Sequence, residues 1–490
     1  MDQLLNVLSY VFWVALALGI LVLVHELGHF LTARMFGMRV DAFSIGFPPV
    51  IARKKIGATE YRLGAVPLGG YVKIAGMVDE SLDAGGEQQP RLDADGNPVL
   101  DDKGKPVYES RDPEPDEFRA KPVWQRIVVI TGGVVFNLLL AGLIFIGLAL
   151  TYGEAYLPAA NVPAVWVRDG SIAHEMGLRT GDRIVAVNGE EIVRFDELES
   201  PSTLAADPYR LTVERDGQRL TYEGPDQVMT RLNRTQATSL LEGMGVGYDP
   251  AVIGGVATGM PAERAGLRAG DRIINLDGRP IVFWQEMTEV LGASEGQPLQ
   301  VQWARPLADV TADDPAPRAR NERWAYYQEE ITPSESDGSY RLGVVADPEA
   351  LGYRFRDYSF TEGVAAGVAM ALDRTAFYVH TIGRLVTGKE NLRESVGGPL
   401  MIAKQSKEAA DRGPGTFWSM VAMLSIALAV FNIFPIPALD GGHLVFLLYE
   451  GLTRREPSLK VRIAAQQVGM VVLLLFMAFV IFNDALRWIG

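Results

Sequence analysis

The sequence predicts a polytopic α-helical membrane protein that also carries a membrane-associated β-hairpin and two β-rich domains outside the membrane. Three observations predict this fold class. Four long stretches contain no charged residue, and a short segment with an alternating pattern and a Pro-Leu-Gly-Gly sequence lies between the first two stretches. The long connection between the second and third stretches contains an internal repeat.

The uncharged stretches predict four transmembrane helices. They are Gln3–Val24, Ile127–Gly153, Gly413–Leu439 and Ile463–Asn483, and each exceeds the roughly 20 residues that a helix needs to cross a hydrocarbon core. Buried helices of soluble proteins usually show a polar face within a few turns. The first stretch lacks a basic region before it, so we expect a permanent span and not a cleaved signal peptide.

Basic residues predict the orientation of these helices. They cluster after the first stretch and between the third and fourth stretches, at Arg34, Arg39, Arg53, Lys54, Lys55, Arg454, Arg455, Lys460 and Arg462. The positive-inside rule places both segments in the cytoplasm, with both termini and the connection 154–412 outside. The net charge of −14 argues against nucleic-acid binding, and the absence of cysteine excludes disulfides and thiolate metal ligands.

The first stretch ends in the sequence His25-Glu26-Leu-Gly-His29, which contains two of the five histidines of the chain. Residues four apart share one face of a helix, so His25 and His29 can bind one metal ion with Glu26 beside it. This is the zinc-protease pattern, in which the carboxylate takes a proton from water. Ionisable residues at membrane depth are costly and mark function.

A catalytic zinc takes a third protein ligand and keeps one position open. The candidate is Asp440, because Pro435 and Pro437 end the third helix just before it and two glycines follow it. We expect Asp440 at the membrane edge, at the same depth as the two histidines, and His443 is the alternative ligand.

The second stretch contains a polar break, Gly133-Val-Val-Phe-Asn137, which the topology places at this depth too. The side-chain amides of Asn137 and Asn432 are candidate substrate contacts.

The segment Thr59–Lys73 predicts a strand pair, with Tyr61, Leu63 and Ala65 alternating before a Pro-Leu-Gly-Gly turn. Such backbone persists at membrane depth only when it packs on protein or lines a wet cavity. An edge strand at Tyr61–Ala65 can hold an unwound substrate as an added strand. The alternative is a cytoplasmic hairpin without a substrate role.

An acidic insert, Gly86–Phe118, follows this segment. Its Asp93-Ala-Asp-Gly-Asn97 sequence is not a calcium loop, because Pro98 stands where that loop needs glycine. We expect a solvated hairpin.

The outside connection contains a repeat, in which Ser171–Glu190 and Met260–Arg279 align without gaps and share Gly-Leu-Arg-x-Gly-Asp-Arg-Ile. The repeat resembles tandem PDZ domains, which bind chain ends by strand addition; a steric plug is the alternative role. Beyond it, Gly363–Leu372 and Thr375–Gly383 are short apolar runs that we expect to form interfacial helices on the outer surface.

Together these motifs resemble the site-2 protease family, over nearly the whole chain. The resemblance is strongest to its RseP-like subgroup, which has two periplasmic PDZ domains. Thr59–Lys73 is similar to the membrane re-entrant β-loop of that subgroup, and Asn391–Pro399 is similar to its segment after the PDZ domains. The resemblance implies one Zn²⁺ per chain, held by residues matching His25, His29 and Asp440, with Glu26 activating water.

The resemblance also implies a location and a substrate class. The location is the bacterial inner membrane, with both termini and the PDZ domains in the periplasm and the zinc near the cytoplasmic side. The substrate is a single-span membrane protein in the bilayer, such as an RseA-like anti-sigma factor of the sigma-E stress response, or a remnant signal peptide.

The predicted units follow from these elements. They are the first transmembrane helix with its HExxH motif (1–36), the β-loop (37–78), the acidic cytoplasmic insert (79–120), the second transmembrane helix (121–153), two PDZ domains (154–228 and 229–335), a post-PDZ region with interfacial helices (336–412), the third transmembrane helix with its Leu-Asp-Gly motif (413–445), and a basic loop with the fourth transmembrane helix (446–490).

Two other functions compete with intramembrane proteolysis. A non-catalytic receptor that binds exported chain ends predicts loss of at least one of His25, Glu26, His29 and Asp440, and all four are present. A metal transporter gives no reason for a PDZ pair or for a glutamate at the zinc-protease position.

Overall fold

The computed structural model describes residues 2–77, 88–90, 108–110, 112–200, 203, 208–225, 231–232, 239–312, 314–336, 339–388 and 397–489. The chain divides into two compact units. A helical unit comprises Met1–Gly153, Asp357–Arg384 and Leu392–Gly490, and a β-rich unit comprises Glu154–Arg356 and Leu385–Asn391. The calcium-like sequence Asp93–Asn97 and residues 391–396 of the Asn391–Pro399 segment lie outside the described residues.

The helices of the helical unit include the four expected spans. Its helices are α1 (Asp2–Met35), α2 (Val123–Tyr152), α7 (Phe360–Val386, whose last two residues belong to the other unit), α8 (Pro399–Asp411), α9 (Pro414–Asn432), α10 (Asp440–Thr453) and α11 (Leu459–Ile489). Among the described residues, four helices are long and apolar enough to cross a membrane: Leu8–Met35, Val123–Tyr152, Pro414–Asn432 and Leu459–Asp484. The prediction of four spans is confirmed at this level.

The helix boundaries confirm one expectation and correct another. The third span ends at Asn432, shortly before Pro435 and Pro437, which agrees with the prediction that these prolines end the helix. The two short outer helices are one continuous helix, α7, since charged residues such as Asp373 and Arg374 interrupt an apolar run without interrupting a helix. Gly363 and Gly367 of α7 lie against Leu150 and Ile146 of α2.

The first two spans cross where both carry glycine. A Cβ on Gly28 of α1 would lie 2.3 Å from the backbone oxygen of Gly132 in α2, and a Cβ on Gly132 would lie 2.7 Å from the oxygen of Gly28. Small residues let membrane helices approach this closely. The crossing brings the backbone of α2 against the face of α1 that carries His25 and His29.

A sheet follows α1 directly. Strands β1 (Val40–Ile56) and β2 (Thr59–Ile74) form a hairpin, and Ala42–Ile45 of β1 pairs twice with β2, once with Glu60–Leu63 and once with Gly70–Lys73. The pairing predicted within Thr59–Lys73 is therefore wrong, because β1 lies between the two arms. Strands β3 (Gln88–Pro90) and β4 (Tyr108–Ser110) pair with each other, which agrees with a hairpin in the acidic insert.

The last span and α8 are connected by a buried carboxylate. Asp484 of α11 is 3% exposed, and its Oδ2 accepts hydrogen bonds from the backbone N–H groups of Leu400 (2.9 Å) and Met401 (3.2 Å). These groups lie in the first turn of α8, where a helix has no internal acceptors for its N–H groups. Asp484 thus caps α8.

In the part of the chain that the structure describes, the β-rich unit contains small sheets and short helices. The helices are α3 (Ile172–Met176), α4 (Leu240–Met244), α5 (Pro261–Arg264) and α6 (Trp284–Ala293). The strands are β5 (Glu154–Tyr156), β6 (Trp166–Val167), β7 (Arg183–Val187), β8 (Glu190–Glu191), β9 (Arg210–Arg215), β10 (Gln218–Glu223), β11 (Val246–Gly247), β12 (Ile253–Val256), β13 (Arg272–Leu276), β14 (Arg279–Pro280), β15 (Leu299–Pro306), β16 (Ala319–Arg320), β17 (Trp324–Ile331), β18 (Ser334–Ser336), β19 (Ser339–Arg341), β20 (Val344–Ala346) and β21 (Arg354–Arg356).

The repeated sequence motif is held by a buried ion pair. Asp182 is fully buried, and its carboxylate accepts a hydrogen bond from the backbone N–H of Arg179 (2.9 Å) and two from the guanidinium of Arg215. Arg215 also donates to the backbone oxygen of Gly177. The aspartate of the Gly-Leu-Arg-x-Gly-Asp motif therefore fixes its own loop to strand β9.

The second copy of the motif makes the same contacts. Asp271 accepts from the backbone of Arg268 (2.8 Å) and from the guanidinium of Arg305, which also donates to the backbone oxygen of Gly266. The β-rich unit therefore consists of two similar subdomains, and each has its own hydrophobic core.

The boundary between the subdomains lies later than the expected 228/229. Leu241, Met244 and Val246 belong to the first core, β11 pairs with β6, and the second core begins at Ala251. The second subdomain extends beyond residue 335, since β12 pairs with β20.

Candidate metal centre

Three side chains from two distant parts of the helical unit converge on one point. His25 and His29 lie one turn apart on α1, and Asp440 is the first residue of α10. The Nε2 atoms of the histidines are 3.2 Å apart. The Oδ2 atom of Asp440 lies 3.2 Å from Nε2 of His25 and 3.4 Å from Nε2 of His29. Among the described residues, these three side chains form the group whose ligand atoms lie close enough together to hold one metal ion.

The partners of the two imidazoles fix which nitrogen faces this point. Nδ1 of His29 donates to the backbone oxygen of Val129 in α2, at 2.8 Å. Nδ1 of His25 lies 3.2 Å from the side-chain amide of Asn137. The Oδ1 atom of Asn137 has no hydrogen-bond partner among the described residues, and a half turn of the amide brings it onto Nδ1 of His25. Both Nε2 atoms then present lone pairs.

These donors fit a zinc ion. With both Nδ1 atoms protonated, two Nε2 lone pairs and a carboxylate oxygen face each other, and Oδ2 of Asp440 accepts no hydrogen bond among the described residues. Three such lone pairs repel unless a cation lies between them. Ligand bonds of about 2.0–2.1 Å in a tetrahedron give ligand separations of roughly 3.3 Å, which agrees with the three observed distances.

Glycines after Asp440 allow its position. A Cβ on Gly441 would lie 2.1 Å from the backbone oxygen of Phe434, and one on Gly442 would lie 2.3 Å from Cα of Pro437. The chain between α9 and α10 thus folds back tightly onto the first turn of α10. A larger residue at either position would push α10, and with it Asp440, away from the histidines.

Gly133 of α2 lies directly behind the ligands. A Cβ at this position would be 2.5 Å from Nε2 of His29 and 2.7 Å from Nε2 of His25. Glycine therefore leaves the space that a metal ion and its ligands occupy. The polar break seen in the sequence, Gly133 to Asn137, supplies this space and the partner of His25.

Glu26 lies on the side of α1 that faces the sheet. A Cβ on Gly70 of β2 would be 3.1 Å from Cγ of Glu26 and 2.9 Å from Cγ1 of Val22. The sheet therefore packs on α1 at the level of the ligand pair. Among the described residues, Gly70, Tyr71 and Val72 have strand partners on one side only.

The other candidate residues have different surroundings. Tyr61 and Leu63 have strand partners on both sides, with Phe43 and Lys54 for Tyr61, so the edge expected at Tyr61–Ala65 lies instead at the other arm of β2. Asn137 is fully buried and orients His25. Asn432 is half-buried at the end of α9.

His443 does not belong to the ligand group. It lines a separate cavity together with Arg126 and Glu450. Val129 and Gly133 were not predicted as functional residues; the glycine of the polar break was the only available signal.

Comparison with known proteins relates this centre to a peptidase family. The sequence model of peptidase family M50 matches residues 13–476. A protein of Neisseria meningitidis serogroup A that is described as a zinc metalloprotease is 29% identical, over 99% of this chain and 100% of its own length. The regulator of sigma-E protease RseP of Salmonella typhimurium is 28% identical, over 96% of this chain and 97% of its own length.

Proposed function

The chain belongs to peptidase family M50, the site-2 proteases, and is a zinc metalloprotease; from this premise we propose that it cuts peptide bonds within the transmembrane segments of single-span membrane proteins. The observation that carries the proposal is the position of the ligand group. Two ligands lie within a helix that is long and apolar enough to span a membrane, and the third follows the end of another.

The proposed ligands are His25, His29 and Asp440, with one Zn²⁺ per chain. Bound zinc supplies a Lewis acid that polarises the scissile carbonyl and makes a neighbouring water more acidic. Val129 and Asn137 hold the two imidazoles in the orientation that exposes Nε2. Glu26 takes a proton from the attacking water and passes it to the nitrogen of the leaving amine, so that water and one peptide bond become a carboxylate and an amine.

The substrate helix must be locally unwound and held beside Glu26. A transmembrane helix keeps its carbonyl groups in its own hydrogen bonds, so a stretch of it must unwind before cleavage. The one-sided strand Gly70–Val72 lies beside Glu26 and provides backbone groups for an unwound stretch to pair with. The arm that carries Tyr61, Leu63 and Ala65 is then not the edge that binds substrate, because Tyr61 and Leu63 have strand partners on both sides. The amide of Asn432 is a candidate substrate contact.

The β-rich unit contributes selection in this proposal. Its two subdomains repeat the same buried ion pair and loop, as expected for tandem PDZ domains that bind chain ends or exclude bulky substrates. We place this unit and both termini in the periplasm, because the basic segments 34–55 and 454–462 are expected in the cytoplasm. The substrate class is then a single-span protein already trimmed outside, such as an RseA-like anti-sigma factor or a remnant signal peptide.

The test uses the purified full chain in lipid with a single-span substrate. Glu26→Gln should keep one zinc per chain and lose about 10²–10⁴-fold in turnover, because the proton acceptor is removed and the ligands remain. Glu190→Gln, an exposed carboxylate of the β-rich unit, is the control and should cleave as the natural chain does. A zinc chelator should abolish cleavage and added zinc should restore it. Appreciable turnover by Glu26→Gln, or cleavage that ignores the chelator, would refute the mechanism.

A further inference from the structure

A polar cavity lies in the helical unit beside the start of α2, apart from the ligand group. Its volume is about 40 Å³, and its wall includes Arg119, Arg126, Arg462, His443 and Gln466. A space of this size holds a few water molecules or one small polyatomic group. The proposed proteolysis uses none of these side chains.

Two of the arginines have donors without acceptors. The side chains of Arg119 and Arg126 are 9% and 8% exposed. Arg119 pairs with Glu117 through Nε, at 2.9 Å, and Arg126 pairs with Glu450 through Nη2. Nη2 of Arg119 and Nε of Arg126 are buried without a hydrogen-bond partner among the described residues. Two buried cationic groups thus keep donors next to one cavity.

What these two donors lack, among the described residues, is an acceptor. Unpaired donors of a buried charged group are costly, and a planar guanidinium is suited to bidentate binding of phosphate oxygens. The carboxylates in the wall are already engaged: Glu450 pairs with Arg126, and Glu456 lies 3.6 Å from Nη2 of Arg462. A water molecule could accept from both of these donors, but it would bring two further donors that need acceptors, whereas a phosphate oxygen brings none.

The surroundings indicate where such a group comes from. An open groove shares Glu450 and Glu456 with the cavity, and its other walls are Val123, Trp124, Ile127, Gly451 and Arg454. Trp124 is 58% exposed and stands in the first turn of a span, where tryptophan is typical of the membrane interface. Apolar side chains beside an arginine at such an interface suit a lipid with an anionic headgroup.

We propose that Arg119 and Arg126 bind a phosphate group in this cavity, and that its source is an anionic phospholipid whose chains leave through the groove at Val123, Trp124 and Ile127. Arg126 lies in the first turn of α2 and Arg119 precedes this helix, which carries Val129, Gly133 and Asn137 at the metal centre. A bound phosphate would therefore fix the membrane-interface end of the helix that orients the zinc ligands.

The experiment measures lipid binding by the full chain, purified in a zwitterionic detergent and freed of native lipid. Phosphatidylglycerol, phosphatidylcholine and inorganic phosphate are titrated separately, with native mass spectrometry and the thermal unfolding midpoint as readouts. We expect one phosphatidylglycerol per chain and a raised midpoint. Arg119→Lys with Arg126→Lys keeps the charges and the glutamate pairs but loses the forked donors, and should weaken this binding at least tenfold. Arg455→Gln, outside both walls, is the matched control.

A second variant guards against a folding defect. Arg126→Gln with Glu450→Gln removes a buried pair without changing the net charge, and it should also lose phosphatidylglycerol binding. The proposal would be overturned if phosphatidylcholine binds as tightly as phosphatidylglycerol. It would also be overturned if both double variants bind phosphatidylglycerol with the affinity of the unmodified chain. Binding of inorganic phosphate without lipid preference would keep the phosphate site and overturn the lipid as its source. Because the readout is binding, its failure leaves the zinc chemistry untouched.

Discussion

The orientation of His25 and His29 depends on groups that belong to another helix. Nδ1 of His29 donates to the backbone oxygen of Val129, and His25 meets the amide of Asn137. Ser425 of α9 in turn donates to the backbone oxygen of Asn137, at 2.8 Å. Because both imidazoles depend on α2, and α2 is tied to α9, the ligand geometry is a property of three packed spans.

The identity of the third ligand gives a first prediction. Asp440→Asn should weaken zinc binding and abolish cleavage, since a neutral amide is a poor zinc ligand. His443→Ala should keep the stoichiometric zinc, because His443 lines the neighbouring cavity and is outside the ligand group. Metal analysis of the two purified variants checks this. If His443→Ala loses the metal while Asp440→Asn keeps it, the third ligand is misassigned.

The space behind the ligands gives a second prediction. Gly133→Ala would place a methyl group 2.5 Å from Nε2 of His29, so we expect zinc affinity to fall about 10–100-fold, as when groups next to metal ligands change. Gly142→Ala is the matched control on the same helix, because no described atom outside the helix's own backbone lies within 4 Å of its Cβ position. Competition with a zinc chelator measures both. Equal affinities would refute a close contact between Gly133 and the two imidazoles.

The spacing of residues along the sequence predicted the metal ligands. It could not predict the groups of α2 that orient these ligands. Two histidines four apart share a helix face in any helix, and Pro435 and Pro437 before Asp440 mark a helix end. Val129 contributes only its backbone oxygen, so no side-chain pattern identifies it. Gly133 looks like any glycine of an apolar helix until the crossing at Gly28 is known.

At the scale of elements, strand β1 decides what the sheet offers to a substrate. The segment Thr59–Lys73 reads as a hairpin by itself because its pattern alternates on both sides of Pro-Leu-Gly-Gly. The preceding strand competes for both arms and pairs with each, and a pattern of period two does not choose between partners. The edge beside Glu26 is therefore Gly70–Val72 and not Tyr61–Ala65.

A pair of proline variants tests whether this edge binds substrate. Successive backbone N–H groups point to opposite edges of a strand, so one of Tyr71→Pro and Val72→Pro removes a donor from the outer edge and the other removes one that faces β1. We expect the outer variant to keep zinc and lose cleavage of stable transmembrane helices. Substrates with Gly or Pro near the cut should be cleaved faster and should partly restore that variant. Wild-type rates in both variants, on stable and weakened helices alike, would exclude strand addition.

Helix α7 illustrates a different limit of pattern reading. Asp373 and Arg374 divide its sequence into two apolar runs. Hydropathy therefore predicts two short helices where the backbone forms one. Its small residues Gly363 and Gly367 pack on α2, and this contact with a span lies beyond the reach of sequence spacing.

At the scale of the whole molecule, the sequence repeat predicted that the β-rich unit contains two similar subdomains. It did not predict the boundary between them. The contacts of Asp182 and Asp271 explain why the repeated motif is short and strict: each aspartate holds its own loop and one distant arginine. The boundary was misplaced because β11, which completes the first copy, follows a segment without a repeat signature.

The entry and exit of the β-rich unit lie side by side, which permits a clean deletion. Strands β5 and β21 pair, with Tyr156 opposite Arg354. Replacing Leu157–Tyr353 by Asn-Gly should join them as a two-residue hairpin and leave the helical unit, which has its own cores. Compact units of this kind fold separately as a rule, so the shortened chain should bind one zinc.

We expect this shortened chain to cleave a short single-span substrate at a rate near that of the full chain, because the ligand group and Glu26 lie wholly in the helical unit. It should also cleave a substrate with a bulky folded outside domain, which the full chain should reject if the β-rich unit excludes such domains. The shortened chain with Glu26→Gln is the control for contaminating proteases. If the full and shortened chains cleave the two substrates in the same ratio, the β-rich unit does not select substrates. Complete inactivity with zinc still bound would show that the β-rich unit takes part in cleavage itself.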